Sequence, residues 1–128
     1  MILNVLEILQ RNPVLMRKAR FLNLVFDLGV GPQPYRVVID RGAVHIAPRN
    51  AASAGANADA IPATFAIDAA ASVWQEFAGP ERKPQYHDLI AMIESGHATI
   101  TGDLLPFFRN LFFIKGIMAA AFRGDASW

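Results

Sequence analysis

The chain has 128 residues and no cysteine, which excludes disulfide staples and thiolate metal sites. Charge is scarce as well. Asp, Glu, Lys and Arg make up 18% of the residues, against about 25% in a typical soluble domain. Twelve basic residues face eleven acidic ones, for a net charge of +1. Such a balance offers no strong field to nucleic acid, and none is expected as a partner. No apolar run reaches the roughly 18 uncharged residues of a membrane span; the best stretch, residues 104–122, is interrupted by Arg109 and Lys115. The start, Met1-Ile2-Leu3-Asn4, lacks the basic segment of a secretory signal, and Glu7 breaks the apolar residues behind it. Ala126-Ser127-Trp128 is no peroxisomal address. We expect a cytoplasmic protein.

What is abundant is apolar surface, at 53% of the residues. The length fits one domain, residues 1–128, able to bury about two-thirds of the surface of its unfolded chain. The apolar surplus must then go into a cavity, against a partner or onto a membrane surface.

Residues 2–20 read as a helical segment in two pieces, with Ile2, Leu3, Leu6 and Leu9 on one face. The second piece starts where Asn12 caps and Pro13 occupies the first helical position. Arg17, Lys18 and Arg20 gather near its end. They suit a solvated helix terminus or a peripheral contact with anionic headgroups.

Five segments alternate with the period of two that marks a half-buried strand. They are residues 21–28, 35–40, 43–47, 63–67 and 97–101. Their inward sets include Leu24, Phe26 and Leu28; Tyr35, Val37 and Ile39; Val44 and Ile46; Phe65 and Ile67; Ala98 and Ile100. Residues 29–34 read as a turn, and Arg41-Gly42 as a tight hairpin connection. Residues 48–62, rich in Ala, Asn, Ser and Gly, read as a long loop. Asp68 is expected to cap a helix running to Ala78, with Val73, Trp74 and Phe77 inward. Another helix is expected over 86–94, with Leu89, Ile90 and Ile93 inward, and a last one over 104–122. A sheet with one apolar face is typically antiparallel and covered by helices on that face alone. The expected fold is therefore α+β, a two-layer domain with a five-stranded, largely antiparallel sheet.

Chemistry-bearing motifs are sparse. His45 and His97 fall on the polar strand faces and His87 on the outer side of a helix, all suited to solvated surface. No spacing suggests a metal site, and Gly29-Val30-Gly31 precedes a proline and a strand, unlike a phosphate loop. Neither serine-based nor paired-carboxylate catalysis is indicated. No cofactor is called for, and we expect no enzyme. The last helix carries the signal. It is apolar over far more than the roughly 100° stripe that packing on one sheet requires. The excess suits packing against the N-terminal helix or a second subunit, or the wall of a ligand cavity.

The stretch Met92-Ile93-Glu94-Ser95-Gly96-His97-Ala98-Thr99-Ile100-Thr101-Gly102-Asp103, leading into an apolar helix, resembles the sterol carrier protein 2 (SCP-2-like) family. So does Asn57-Ala58-Asp59 before the strand Ala63–Ile67, followed by a helix ending Phe77-Ala78-Gly79. The resemblance covers residues 21–122. It implies a lipid-binding domain with a tunnel between sheet and helices for a fatty acid, acyl-CoA, sterol or quinone-type lipid. Two features depart from the family pattern: the length of 80–88 and the loop 48–62. From predicted facing, the ligand-lining residues would be Phe26, Phe65, Trp74, Phe77, Ile93, Ile100, Phe108, Leu111 and Phe112. Two other readings stand beside this one. One is a non-catalytic accessory or dimerisation module in lipid or quinone metabolism. The other is a small isomerase-like enzyme, which would need an acid or base in the cavity, whereas Asp27, Asp40, His45 and His97 are expected on the other side of the sheet.

Overall fold

A computed structural model describes residues 1–49 and 62–124. Most of the loop expected at 48–62, and the Asn57-Ala58-Asp59 motif within it, lie outside those residues.

The five strands form one sheet in the order β3-β2-β1-β4-β5. They are β1 (Asn23–Val30), β2 (Gln33–Asp40), β3 (Ala43–Pro48), β4 (Phe65–Ala69) and β5 (Ala98–Gly102). The first three make an antiparallel meander, β4 lies parallel to β1, and β5 is antiparallel to β4. The fold is thus α+β with a largely antiparallel sheet, as expected. The turn expected at 29–34 is tighter than its composition suggests: β1 and β2 pair as far as Val30 opposite Gln33. The second hairpin turns on Arg41 (φ 51°) and Gly42 (φ 80°). Two successive positive φ values match the twist of a two-residue hairpin. At Gly42 space matters too, because a Cβ there would sit 2.8 Å from the Ala19 carbonyl oxygen. Arg41 is steadied by its N–H, which donates to Asn23 Oδ1 at 2.9 Å.

The N-terminal segment differs from the expected helix over 2–20. Helix α1 is one turn, Leu6–Leu9, and α2 is Pro13–Ala19, with the Asn12 side chain accepting from Leu15 N–H at 3.2 Å. Val5, Ile8, Leu9, Leu15 and Ala19 are the segment's buried residues, while Ile2 and Leu3 are exposed. A single turn holds no long apolar stripe, and the residues before it instead tie to the far end of the chain, Ile2 N–H donating to Ala121 O at 2.7 Å. Asp68 is also reassigned. It stays in β4 opposite Thr99, and helix α3 (Ala71–Ala78) starts after Ala70 without a side-chain cap. Helix α4 is shorter than expected, Leu89–Glu94, and buries Leu89 and Met92 deepest.

The expected last helix is two. Helix α5 (Leu104–Arg109) begins under Asp103, whose carboxylate accepts from Leu105 N–H at 3.2 Å, and α6 runs Leu111–Arg123. Asn110 separates them, with φ −115° and its side-chain amide donating to Pro106 O at 2.9 Å. An Asn side chain that competes locally for backbone groups disfavours a continuous helix. The surplus of apolar surface divides at this elbow. Beyond it, Phe113, Ile114 and Gly116–Ala121 are all buried, in contact with α1 and α3. Small residues at Gly116 and Ala119–Ala121 suit such close packing. On the elbow itself, Phe108 and Phe112 remain exposed.

Candidate functional site

Seven of the nine residues expected to line a ligand cavity lie within or against one apolar core, between the inner sheet face and the helices. Phe26 and Phe65 stack at 4.9 Å, and Phe107 meets Phe65 edge-on at 5.5 Å. Trp74 is 1% exposed. Its indole stacks on Phe122 at 4.3 Å, meets Phe77 edge-on at 5.8 Å, and donates its N–H to Gly29 O at 2.9 Å. Ile93, Ile100 and Leu111 are half-buried against the same cluster. The rings fill one another's space here.

Phe108 and Phe112 do not join them: they are 56% and 74% exposed, a correction to their expected inward facing. The buried stripe runs through Phe107 and Ile114, and Leu111 and Met118 continue it. Each helical step turns by about 100°, which carries the next residues, Phe108 and Phe112, out of that stripe. The polar side of this helix is narrow, but it marks the phase: Phe112 stands three residues from both Arg109 and Lys115, on their side of the helix, a signal that the surrounding apolar residues outnumber.

Two clefts compete as a site. One, of about 340 Å³, is lined by Phe77, His87, Asp88, Leu89, Lys115, Ala119 and Arg123. Its charges are satisfied internally. Lys115 pairs with Asp88 at 2.8 Å. Arg123 donates to Phe77 O at 2.7 Å and His87 O at 2.9 Å, and its guanidinium lies 3.8 Å from the centre of the Phe77 ring. His87 therefore lies before α4, with its carbonyl engaged, and not on the helix as expected. The other cleft, of about 170 Å³, lies between α2 and the elbow. Leu15, Ala19, Leu22, Phe112 and Phe113 supply apolar walls, Asn110 is at the bend, and Lys18 and Arg109 complete the lining. Neither cation has an ion-pair partner among the described residues. Lys83, on the surface beyond α3, is different: a hydrogen bond to the Glu76 carboxylate at 3.0 Å raises its ammonium above the ordinary range. Only Phe112 of the nine expected residues lines the second cleft, and only Phe77 the first.

The acids and histidines of the sheet lie away from both clefts. Asp27 accepts from Arg36 Nε at 3.0 Å and Arg49 Nη1 at 2.7 Å, leaving Arg36 buried as part of this cluster. Cross-strand register carries that pairing, since Asp27 stands opposite Arg36. Asp40 and His45 are exposed. His97 stacks on Tyr86 at 4.5 Å and bonds Gln85 at 3.1 Å, contacts that join the 80–88 segment to β5 and that periodicity does not reveal.

No protein-family model matches the sequence, and no curated protein does. Among solved structures, the chain is similar to "UbiJ-SCP2 Ubiquinone synthesis protein" at TM-score 0.58 and 20% identity, over 91% of this chain and 88% of that one. It is similar also to TT1886 of Thermus thermophilus, a conserved hypothetical protein offered as a candidate sterol carrier protein. There the TM-score is 0.60 and the identity 13%, over 98% and 85% of the two chains. A variant of the sec-alkyl sulfatase PisA1 of Pseudomonas sp. matches at TM-score 0.54 and 13% identity, over 77% of this chain and 14% of that enzyme. The chain has an SCP-2-like fold.

Proposed function

We propose that this protein binds a hydrophobic molecule of the lipid or quinone class, admitted at the cleft between α2 and the α5–α6 elbow. The observation that carries the reading is the cleft's make-up: apolar walls of Leu15, Leu22, Phe112 and Phe113, with Lys18 and Arg109 unpaired beside them among the described residues. Apolar walls with a few convergent polar groups are the usual chemistry of a ligand site. The SCP-2-like fold and the description of one fold neighbour as a ubiquinone synthesis protein support the same class of ligand. At about 170 Å³ the cleft is smaller than the roughly 300–1,000 Å³ of a drug-sized pocket. It seats the end of a ligand, and a longer chain would have to part Phe113 from the core that includes Phe26, Phe65 and Ile100. Each buried methylene contributes about 0.8 kcal/mol, so a few suffice to hold a lipid weakly. The cations suit an acidic head such as a carboxylate.

The test is a competition titration with a fluorescent fatty acid, using the unlabelled acid and its methyl ester as competitors. The acid is expected to compete better, and the Lys18→Glu/Arg109→Glu double variant to remove that preference, each exposed pair contributing at most about 1 kcal/mol. No displacement by either competitor would refute the site. A second reading, a dimerisation module, is favoured by the exposure of Phe108 and Phe112. Light scattering decides it: a stable dimer that Phe112→Ser dissolves would establish it in place of a ligand site.

A further inference from the structure

The cleft between α2 and the elbow has a rim and a floor of different kinds. Lys18, Arg109 and Phe112 are exposed and stand at the rim, whereas Leu15, Ala19 and Phe113 are buried members of the core cluster and make the floor. Under Ala19 the floor cannot give way, because backbone lies on backbone there. The Ala19 carbonyl accepts from Leu22 N–H at 2.8 Å, Gly42 N–H donates to Leu22 O at 3.1 Å, and even a Cβ at Gly42 would come within 2.8 Å of Ala19 O. Phe113 is the largest side chain of the floor and the one that α6 supplies. It is 5% exposed and is shared between the cleft and the core. Space freed at its ring would therefore open into the cleft. The core it joins offers no ready continuation, since protein interiors are packed as densely as organic crystals and the Phe26, Phe65 and Phe107 rings of this one are in mutual contact.

We infer that the Phe113 ring is the stop that sets how much of a ligand's chain the cleft holds. The site then takes the end of a chain, selecting for length up to the ring and indifferent to length beyond it, where further methylenes stay in water. The inference rests on the ligand site proposed above and adds the residue that measures the chain.

The test is an affinity series in which saturated fatty acids of stepwise longer chain, each below its micellar concentration, displace a fluorescent acid. Each methylene taken up should tighten binding about fourfold until the stop, after which affinity should level off. Phe113→Leu removes about three carbons from the floor. Levelling should then come about two methylenes later, with acids beyond the wild-type break bound about tenfold tighter and shorter acids bound as before. Phe113→Met, whose flexible side chain yields to a tail at little loss of packing, should move the break the same way and serves if the Leu variant does not fold. Phe107→Leu alters a buried core ring that does not line the cleft, and should lower the thermal melt without moving the break. Affinity that rises with length and never levels, a break that neither Phe113 variant moves, or one that Phe107→Leu moves as far would overturn the inference and leave the ligand site standing. Binding of no acid at any length would overturn both.

Discussion

Phe112 and Phe113 are neighbours in α6 with the same side chain and opposite surroundings, and their truncation separates function from stability. Phe113 is 5% exposed and belongs to the core cluster, whereas Phe112 stands at 74%. Phe113→Ala removes a buried ring and leaves a cavity, at a cost of about 3–5 kcal/mol. For a domain of this size that lowers the melting temperature by more than about 10 °C. Phe112→Ala removes a ring that the fold hardly uses, so stability should move by no more than about 0.5 kcal/mol. If a ligand covers the ring in the cleft, affinity falls instead. Burying a Phe side chain fully is worth about 1.5–3 kcal/mol, and a ring covered on one side recovers roughly half of that. The dissociation constant should then rise about threefold to tenfold. Circular dichroism melts and a fatty-acid titration on both variants check the two halves. Equal destabilisation by the two truncations would refute the helix phase described here. A Phe112→Ala protein with full stability and full affinity would remove the cleft as the binding site.

Gly102 has φ 101°, and a Cβ there would lie 2.7 Å from Thr64 O and 2.8 Å from the Phe65 Cα. Gly102→Ala should therefore cost about 2 kcal/mol or more, seen as a lower urea midpoint with an unchanged slope. Arg123→Met removes a guanidinium that holds the Phe77 and His87 carbonyls; amide exchange at 79–88 should quicken, with a loss of about 1–3 kcal/mol. Asp27→Leu strips the carboxylate from Arg36 and Arg49 and should cost about 3 kcal/mol, while the Asp27→Leu/Arg36→Met double variant should recover part of it in a thermodynamic cycle measured by urea unfolding.

The sheet was legible because a pleated strand buries every second residue and its neighbours across the sheet obey the same rule. Alternation alone picks out the buried sets Leu24-Phe26-Leu28, Val37-Ile39, Val44-Ile46 and Phe65-Ile67. The failures lie where period carries no information. Asp68 looks like a helix cap, but pairing with β1 and β5 keeps it in the strand. The last helix has only a narrow polar side, so its elbow at Asn110 does not stand out, and the exposure of Phe108 and Phe112 is marked only by the nearby Arg109 and Lys115. The cleft was less legible still. Leu15, Lys18 and Leu22 come from one end of the chain and Arg109 and Phe112 from the other, and only tertiary packing brings them together. The basic cluster at 17–20 was the one local signal pointing there.

Native mass spectrometry of the gently purified chain tests the central claim most directly. After incubation with a long-chain fatty acid and, separately, a lipophilic quinone, the account predicts a one-to-one adduct above the 14.0 kDa chain that Phe112→Ala diminishes. A spectrum holding only the bare chain after both incubations would contradict it.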